Sequence, residues 1–180
     1  MQNQPFANFP LDDFWEDANY AVENYVGAFP DDEMIASIEK ETGYKLPASY
    51  IHLMRIQNGG IPVRCSHPSP EPTFWSQDHI SITGIMGIGR DRPYSICGEM
   101  GSAFMISEWG YPADGIYFAT CPTGGHNMVL LDYSHCGNSG EPEVVFVDQD
   151  MNYKKTLLAK DFESFIRGLV PDAAYDDLEE

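Results

Sequence analysis

A chain of 180 residues with 43% hydrophobic content is long enough to bury one real core and is not disordered as a whole. Its net charge of −18 excludes nucleic acid and anionic membrane as natural ligands, because both demand basic surface. No apolar run approaches the roughly 18 residues that span a bilayer, the opening MQNQPFANFPLDDFWED lacks a basic head and an apolar core, and four cysteines are too few for a disulfide scaffold, so reduced thiols and a cytoplasmic location are expected.

Leu11, Phe14, Trp15, Ala18, Val22, Tyr25 and Val26 recur at helical spacing and predict an amphipathic first helix. Asp12, Asp13, Glu16 and Asp17 would load its first turn, where acids suit the positive end of the helix dipole. A second helix is predicted from Asp31, with Met34, Ile35 and Ile38 inward and Gly43 just beyond its end. Pro47 suits the first position of a third helix, which turns Tyr50, Leu53, Met54 and Gln57 inward and stops at Asn58-Gly59-Gly60. Residues 64–78, with Pro68, Pro70 and Pro72, read as a loop, and residues 86–101 are too glycine-rich to assign.

The alternation in HISIT opens a sheet at Ile80 and Ile82. Phe104–Trp109 is a short apolar element of open type. Runs at 115–120, 128–133 and 143–148, separated by turn-rich breaks, predict consecutive antiparallel strands. Leu157 to Leu169 reads as a closing helix with Phe162, Phe165, Ile166 and Leu169 on one face, and the last nine residues read as a frayed acidic tail. Helices, then strands, then a helix predict a single α+β domain with a mostly antiparallel sheet packed on one face by helices.

Several of these segments together resemble the SUKH superfamily, the group that holds the fungal cell-wall-synthesis regulator and many bacterial proteins. The resemblance rests on Leu46-Pro47-Ala48-Ser49-Tyr50 followed by Asn58-Gly59-Gly60, then Glu108-Trp109-Gly110-Tyr111-Pro112, then Gly124-Gly125-His126-Asn127-Met128 leading to Leu131-Asp132-Tyr133. Cys136-Gly137, Gly140-Glu141-Pro142, Val147-Asp148-Gln149 and the closing helix continue it. It covers about residues 31–169, leaving 1–30 as a helical N-terminal extension and 170–180 as an acidic tail. Asn127 departs from the pattern, since bacterial relatives usually carry Asp after the His. The resemblance implies a non-enzymatic protein-binding domain. Many bacterial members look like immunity proteins against nuclease or deaminase toxins, and fungal members regulate cell-wall synthesis through protein contacts.

The residues themselves offer few catalytic or metal sites. Cys65, His67, Cys121, His126, His135 and Cys136 lack the closely spaced ligand pairs that structural zinc uses. Neither Cys121 nor Cys136 has a cation nearby in sequence to favour a thiolate. Asp148-Gln149-Asp150-Met151-Asn152 starts like a calcium loop, but Tyr153 and Ala159 stand where Gly and Glu are needed. Gly87-Ile88-Gly89 lacks the third glycine of a dinucleotide loop, and Thr123-Gly124-Gly125 lacks the lysine of a phosphate loop. No cofactor or metal is therefore expected.

The acidity is concentrated at the two ends. Residues 1–43 carry −9 and residues 161–180 carry −6, against −3 for the 117 residues between them. The expected function is occlusion of a basic toxin by an acidic protein. The partner-binding residues expected are Asp12, Asp13, Glu16, Asp17, Asp31, Asp32 and Glu33, which cluster, and Trp75, an aromatic in a proline-rich loop. A regulatory or scaffold domain acting on host proteins is the second reading, and a hydrolase built on the His126 turn the third. The oligomeric state stays open.

Overall fold

The computed structural model describes residues 4–176. Three helices come first: α1 (Asn19–Asn24), α2 (Asp32–Thr42) and α3 (Ala48–Ile56). The strands β1 (Ser66–Pro68), β2 (His79–Ser81) and β3 (Gly84–Ile85) precede α4 (Ser102–Trp109). Then come β4 (Gly115–Thr120), β5 (Asn127–Asp132), β6 (Glu143–Asp148), β7 (Lys154–Ala159) and α5 (Phe162–Arg167). Strands β3 to β7 form one antiparallel sheet in chain order, and β1 pairs with β2 apart from it. The fold is α+β, as expected.

Every residue of β5 is buried, and so are nearly all of β4 and β6. Successive strand residues point to opposite faces, so both faces of the central sheet are covered. Phe118 meets Phe162 and Phe165 of α5 edge-on at 5.5 and 5.7 Å, and Tyr50 of α3 meets Phe162 at 5.2 Å. A register shift between Tyr117 and Ala119 bends β4 there. Tyr117 packs edge-on against Tyr111 at 5.1 Å, and its N–H donates to Ser102 Oγ of α4 at 3.0 Å.

The helix ends follow local chemistry. The Asp31 side chain accepts from the Met34 N–H at 2.8 Å and caps α2, which stops at Gly43 with φ of 83°. Pro47 occupies the cap of α3 instead of its first turn. Asn58 does more than end that helix. Its Nδ2 donates to Ala28 O and Ile88 O at 2.7 and 2.8 Å, and its Oδ1 accepts from the Ile88 N–H at 2.7 Å. Gly59 is left-handed, and a Cβ there would lie 2.6 Å from Tyr25 O. The Asn-Gly-Gly sequence is thus a three-way backbone junction.

Three further expectations fail. The first helix spans only Asn19–Asn24; Phe14 to Glu16 run extended, with Trp15 bridged to Pro62 and the Glu16 N–H donating to Ile61 O at 2.8 Å. Long-range backbone pairing overrides the helical periodicity there. Residues 157–159 belong to strand β7, because pairing with β6 continues to Ala159 and Asp161 caps α5 by accepting from the Ser164 N–H at 2.8 Å. The tail docks instead of fraying at 172–175: Ser66 Oγ donates to Asp172 Oδ1 at 2.6 Å, and the Tyr175 ring stacks on His79 at 3.7 Å. Residues 177–180 of that expected tail lie outside the described residues. The 64–78 loop holds β1 at its start, and the open element at Phe104 is α4.

Candidate functional site

A groove of about 470 Å³ opens where α1, α4 and one end of the sheet meet. That volume is in the range of ligand-sized sites, roughly 300–1,000 Å³. Tyr25 and Tyr94 form one wall, their rings stacked at 4.8 Å and 12°. Phe104 and Trp109 of α4 form another, and Met105, Met128 and Cys121 line the interior. Tyr20 and Met100, 57% and 38% exposed, extend apolar surface beyond the mouth.

Five hydroxyls line the groove, and three of them form a hydrogen-bonded chain. Tyr25 Oη and Thr120 Oγ1 are 2.7 Å apart, and Thr83 Oγ1 is 2.8 Å from the same Thr120 oxygen. Burial pushes the Tyr25 phenol up to about 12, so these groups stay neutral hydrogen-bonding partners at physiological pH. The rim at Gly124-Gly125 is tight. The Gly125 carbonyl accepts from Tyr111 Oη at 2.6 Å, and a Cβ on Gly125 would lie 3.1 Å from the Trp109 ring.

Charge is partitioned along the chain segments that build this groove. Lys and Arg are absent from residues 1–39, 65–89 and 93–153, and every residue lining the groove comes from those three stretches. The base nearest in sequence is Arg92, whose Nε donates to Val26 O at 2.8 Å.

None of the expected partner-binding residues lines this groove. Asp12, Asp13, Glu16 and Asp17 are exposed along the extended segment and in the turn before α1, and with Glu33 they form no ion pair among the described residues. Asp31 is occupied as the cap of α2, and Asp32 pairs with Arg55 at 2.6 Å. Trp75 is 40% exposed and lines a different, polar notch with Ser76, His79, Asp172 and Tyr175. Sequence reading missed Tyr20, Tyr94, Met100 and Phe104 as site residues. The available signal was that all four fall in stretches of the chain without Lys or Arg.

The turn residues have structural surroundings. His126 meets Trp109 edge-on at 5.7 Å and pairs with Asp150 at 3.1 Å. Asn127 is fully buried, stands opposite Asp148 in the β5–β6 register, and neither atom of its amide has a partner. A carboxylate at 127 would face that of Asp148, which explains physically why an amide suits this chain. Burial raises all the thiols: Cys65 and Cys97 up to about 12, Cys121 well above its ordinary value, and exposed Cys136 less so. None is poised as a thiolate nucleophile. Burial opposes ionisation of Asp132, but hydrogen bonds from Ser134 and Lys155 outweigh it and hold the carboxyl below its usual range.

The sequence profile described as "SMI1 / KNR4 family (SUKH-1)" matches residues 30–168. No curated protein matches the chain. The match begins after Tyr20 and Tyr25, so these two groove residues lie outside the matched region, while Tyr94 lies inside it.

Proposed function

From the premise that this chain belongs to the SMI1/KNR4 family (SUKH-1), we propose that it is a non-enzymatic protein-binding domain, an immunity protein that neutralises a basic bacterial toxin of nuclease or deaminase type by occlusion. The observation that carries this reading is the partition of charge: 19 acids and no Lys or Arg in the three stretches that supply the groove and the exposed N-terminal run. A nuclease must attract phosphate with basic side chains. An acidic inhibitor competes for that same surface, and its field speeds encounter. The raised thiols favour binding over covalent catalysis. The cytoplasm, where such a toxin acts, is the compartment proposed.

The test is co-expression with the toxin encoded beside this gene, followed by association kinetics at several salt concentrations. Neutralisation, with an association rate that falls as ionic strength rises, is expected. Replacing Asp12, Asp13, Glu16, Asp17 and Glu33 together by their amides is expected to slow association on the order of tenfold. An association rate indifferent to salt refutes the steering argument. Capture of a host regulatory protein, with no protection against the neighbouring toxin, favours the scaffold reading instead.

A further inference from the structure

We infer that the groove seats one large apolar side chain (Leu, Met, Phe or Trp) projecting from a Lys- or Arg-bearing segment of the partner, and that Tyr20 and Tyr25 help select it. The inference rests on the reading of this chain as a protein-binding domain. Three observations identify the occupant.

The interior is aromatic and methionine-rich, and the three hydroxyls of Tyr25, Thr83 and Thr120 are engaged with one another, so an apolar body is favoured over a charged one. Apolar surface continues outside the mouth on Tyr20 and Met100. A small molecule sunk in the groove leaves that rim wet, whereas a macromolecule carrying an anchor covers it, as buried aromatic anchors do at interfaces. The flanks of the anchor must be basic, because the chain segments that build the groove hold acids and no bases.

The selecting role of the N-terminal wall follows from packing. Tyr25 is 2% exposed and is held by the Tyr94 stack and the Thr120 hydroxyl, so it is a fixed surface. Tyr20 stands at the mouth on α1, with its ring 6.4 Å from that of Tyr25. Met100, Met105 and Met128 are adaptable and tolerate more than one anchor shape. The rigid aromatic wall therefore discriminates, and the methionines accommodate.

The experiment uses the full chain with labelled methionine methyl groups and a blocked pentapeptide, Lys-Lys-Phe-Lys-Lys, taken to millimolar concentration. Saturable shifts at the Met100, Met105 and Met128 methyls are expected, with those of Met34, Met54 and Met151 unmoved. Exchanging the peptide's Phe for Ala, or its four Lys for Glu, should weaken binding tenfold or more. Met100→Lys, at an exposed position that leaves the fold intact, should do the same, and Tyr20→Ala should change the ranking of Phe, Leu and Trp peptides. No saturable shift at the groove methyls, or equal binding of the Glu-flanked peptide, overturns the inference. Equal neutralisation of a cognate toxin by wild type and Met100→Lys overturns it while leaving the immunity reading standing. Peptide binding as expected with no toxin bound supports the groove and removes the immunity reading.

Discussion

The contact between Tyr25 and Gly84 can be isolated by a double-mutant cycle. A Cβ built on Gly84 would lie 2.3 Å from Tyr25 Cε1, 2.4 Å from Cζ and 2.8 Å from Oη. The ring cannot swing away, because Tyr94 stacks on it at 4.8 Å and Thr120 holds its hydroxyl at 2.7 Å. Gly84→Ala is therefore expected to cost about 1–3 kcal/mol through overpacking. Tyr25→Ala removes a buried ring and should cost about 3–5 kcal/mol, which lowers Tm on the order of 10 °C in a chain this size. In the Tyr25→Ala background the obstruction is gone. Gly84 has no positive φ that alanine would resist. There the alanine should stabilise by about 0.4–1 kcal/mol, through the unfolded chain. The cycle then returns a coupling of about 1.4–4 kcal/mol, in the upper part of the range for residues in direct contact or above it. Urea unfolding of the four proteins measures it, provided the slope m is unchanged across the set. A coupling below about 0.5 kcal/mol refutes the claim that the N-terminal segment is fixed against the sheet.

Asn127→Leu should be neutral or stabilising by urea unfolding, since the buried amide has no partner to lose, whereas Asn127→Asp should cost about 3–5 kcal/mol at pH 7 by burying an uncompensated charge opposite Asp148. Asn58→Ala should cost about 2–4 kcal/mol, because three hydrogen bonds to two backbone segments vanish together. The carboxyl of Asp132 lies below its usual range in the fold, so its contribution to stability is present above about pH 4 and is lost as pH falls further; Asp132→Asn should flatten the acid limb of a stability–pH profile. The Tyr25 phenol is raised to about 12, so its contribution is complete below about pH 10 and is lost as pH rises through 12; Tyr25→Phe should lessen the alkaline loss of stability. With a thiol reagent on the folded protein, Cys136 should react first and Cys121 last.

Much of the scaffold was legible because its signals are local. Asp31 and Gly43 bracket α2 through side-chain capping and a left-handed terminus, and both act within one helical turn. The strands at 115–120 and 143–148 were found to the residue, since turn chemistry bounds apolar runs on both sides. The failures share the opposite cause. Phe14 to Glu16 have helical spacing, yet their backbone pairs with residues 61–63, nearly 50 positions away. Leu157 and Leu158 fit a helix as well as a strand, and only the vacant edge of β6 decides between them.

The groove falls in that second class for a physical reason. Its walls join residues 20–25, 83, 94–109 and 120–128, so no window of sequence contains its shape. The motifs that carry the family resemblance serve the frame: Leu46 and Tyr50 are buried, Asn58 ties backbone segments, and Gly59 permits a close approach. A frame held by backbone junctions can keep its geometry while the side chains over it change. Residues 4–29 lie outside the family match, yet they supply Tyr20 and Tyr25 to one wall. If the groove seats a partner's side chain, variation at exposed Tyr20 alters what it accepts without disturbing the Asn58 junction. On that proposal partner choice and fold stability rest largely on different residues, and Tyr25 is the position where the two meet, being at once 2% exposed and part of the groove lining.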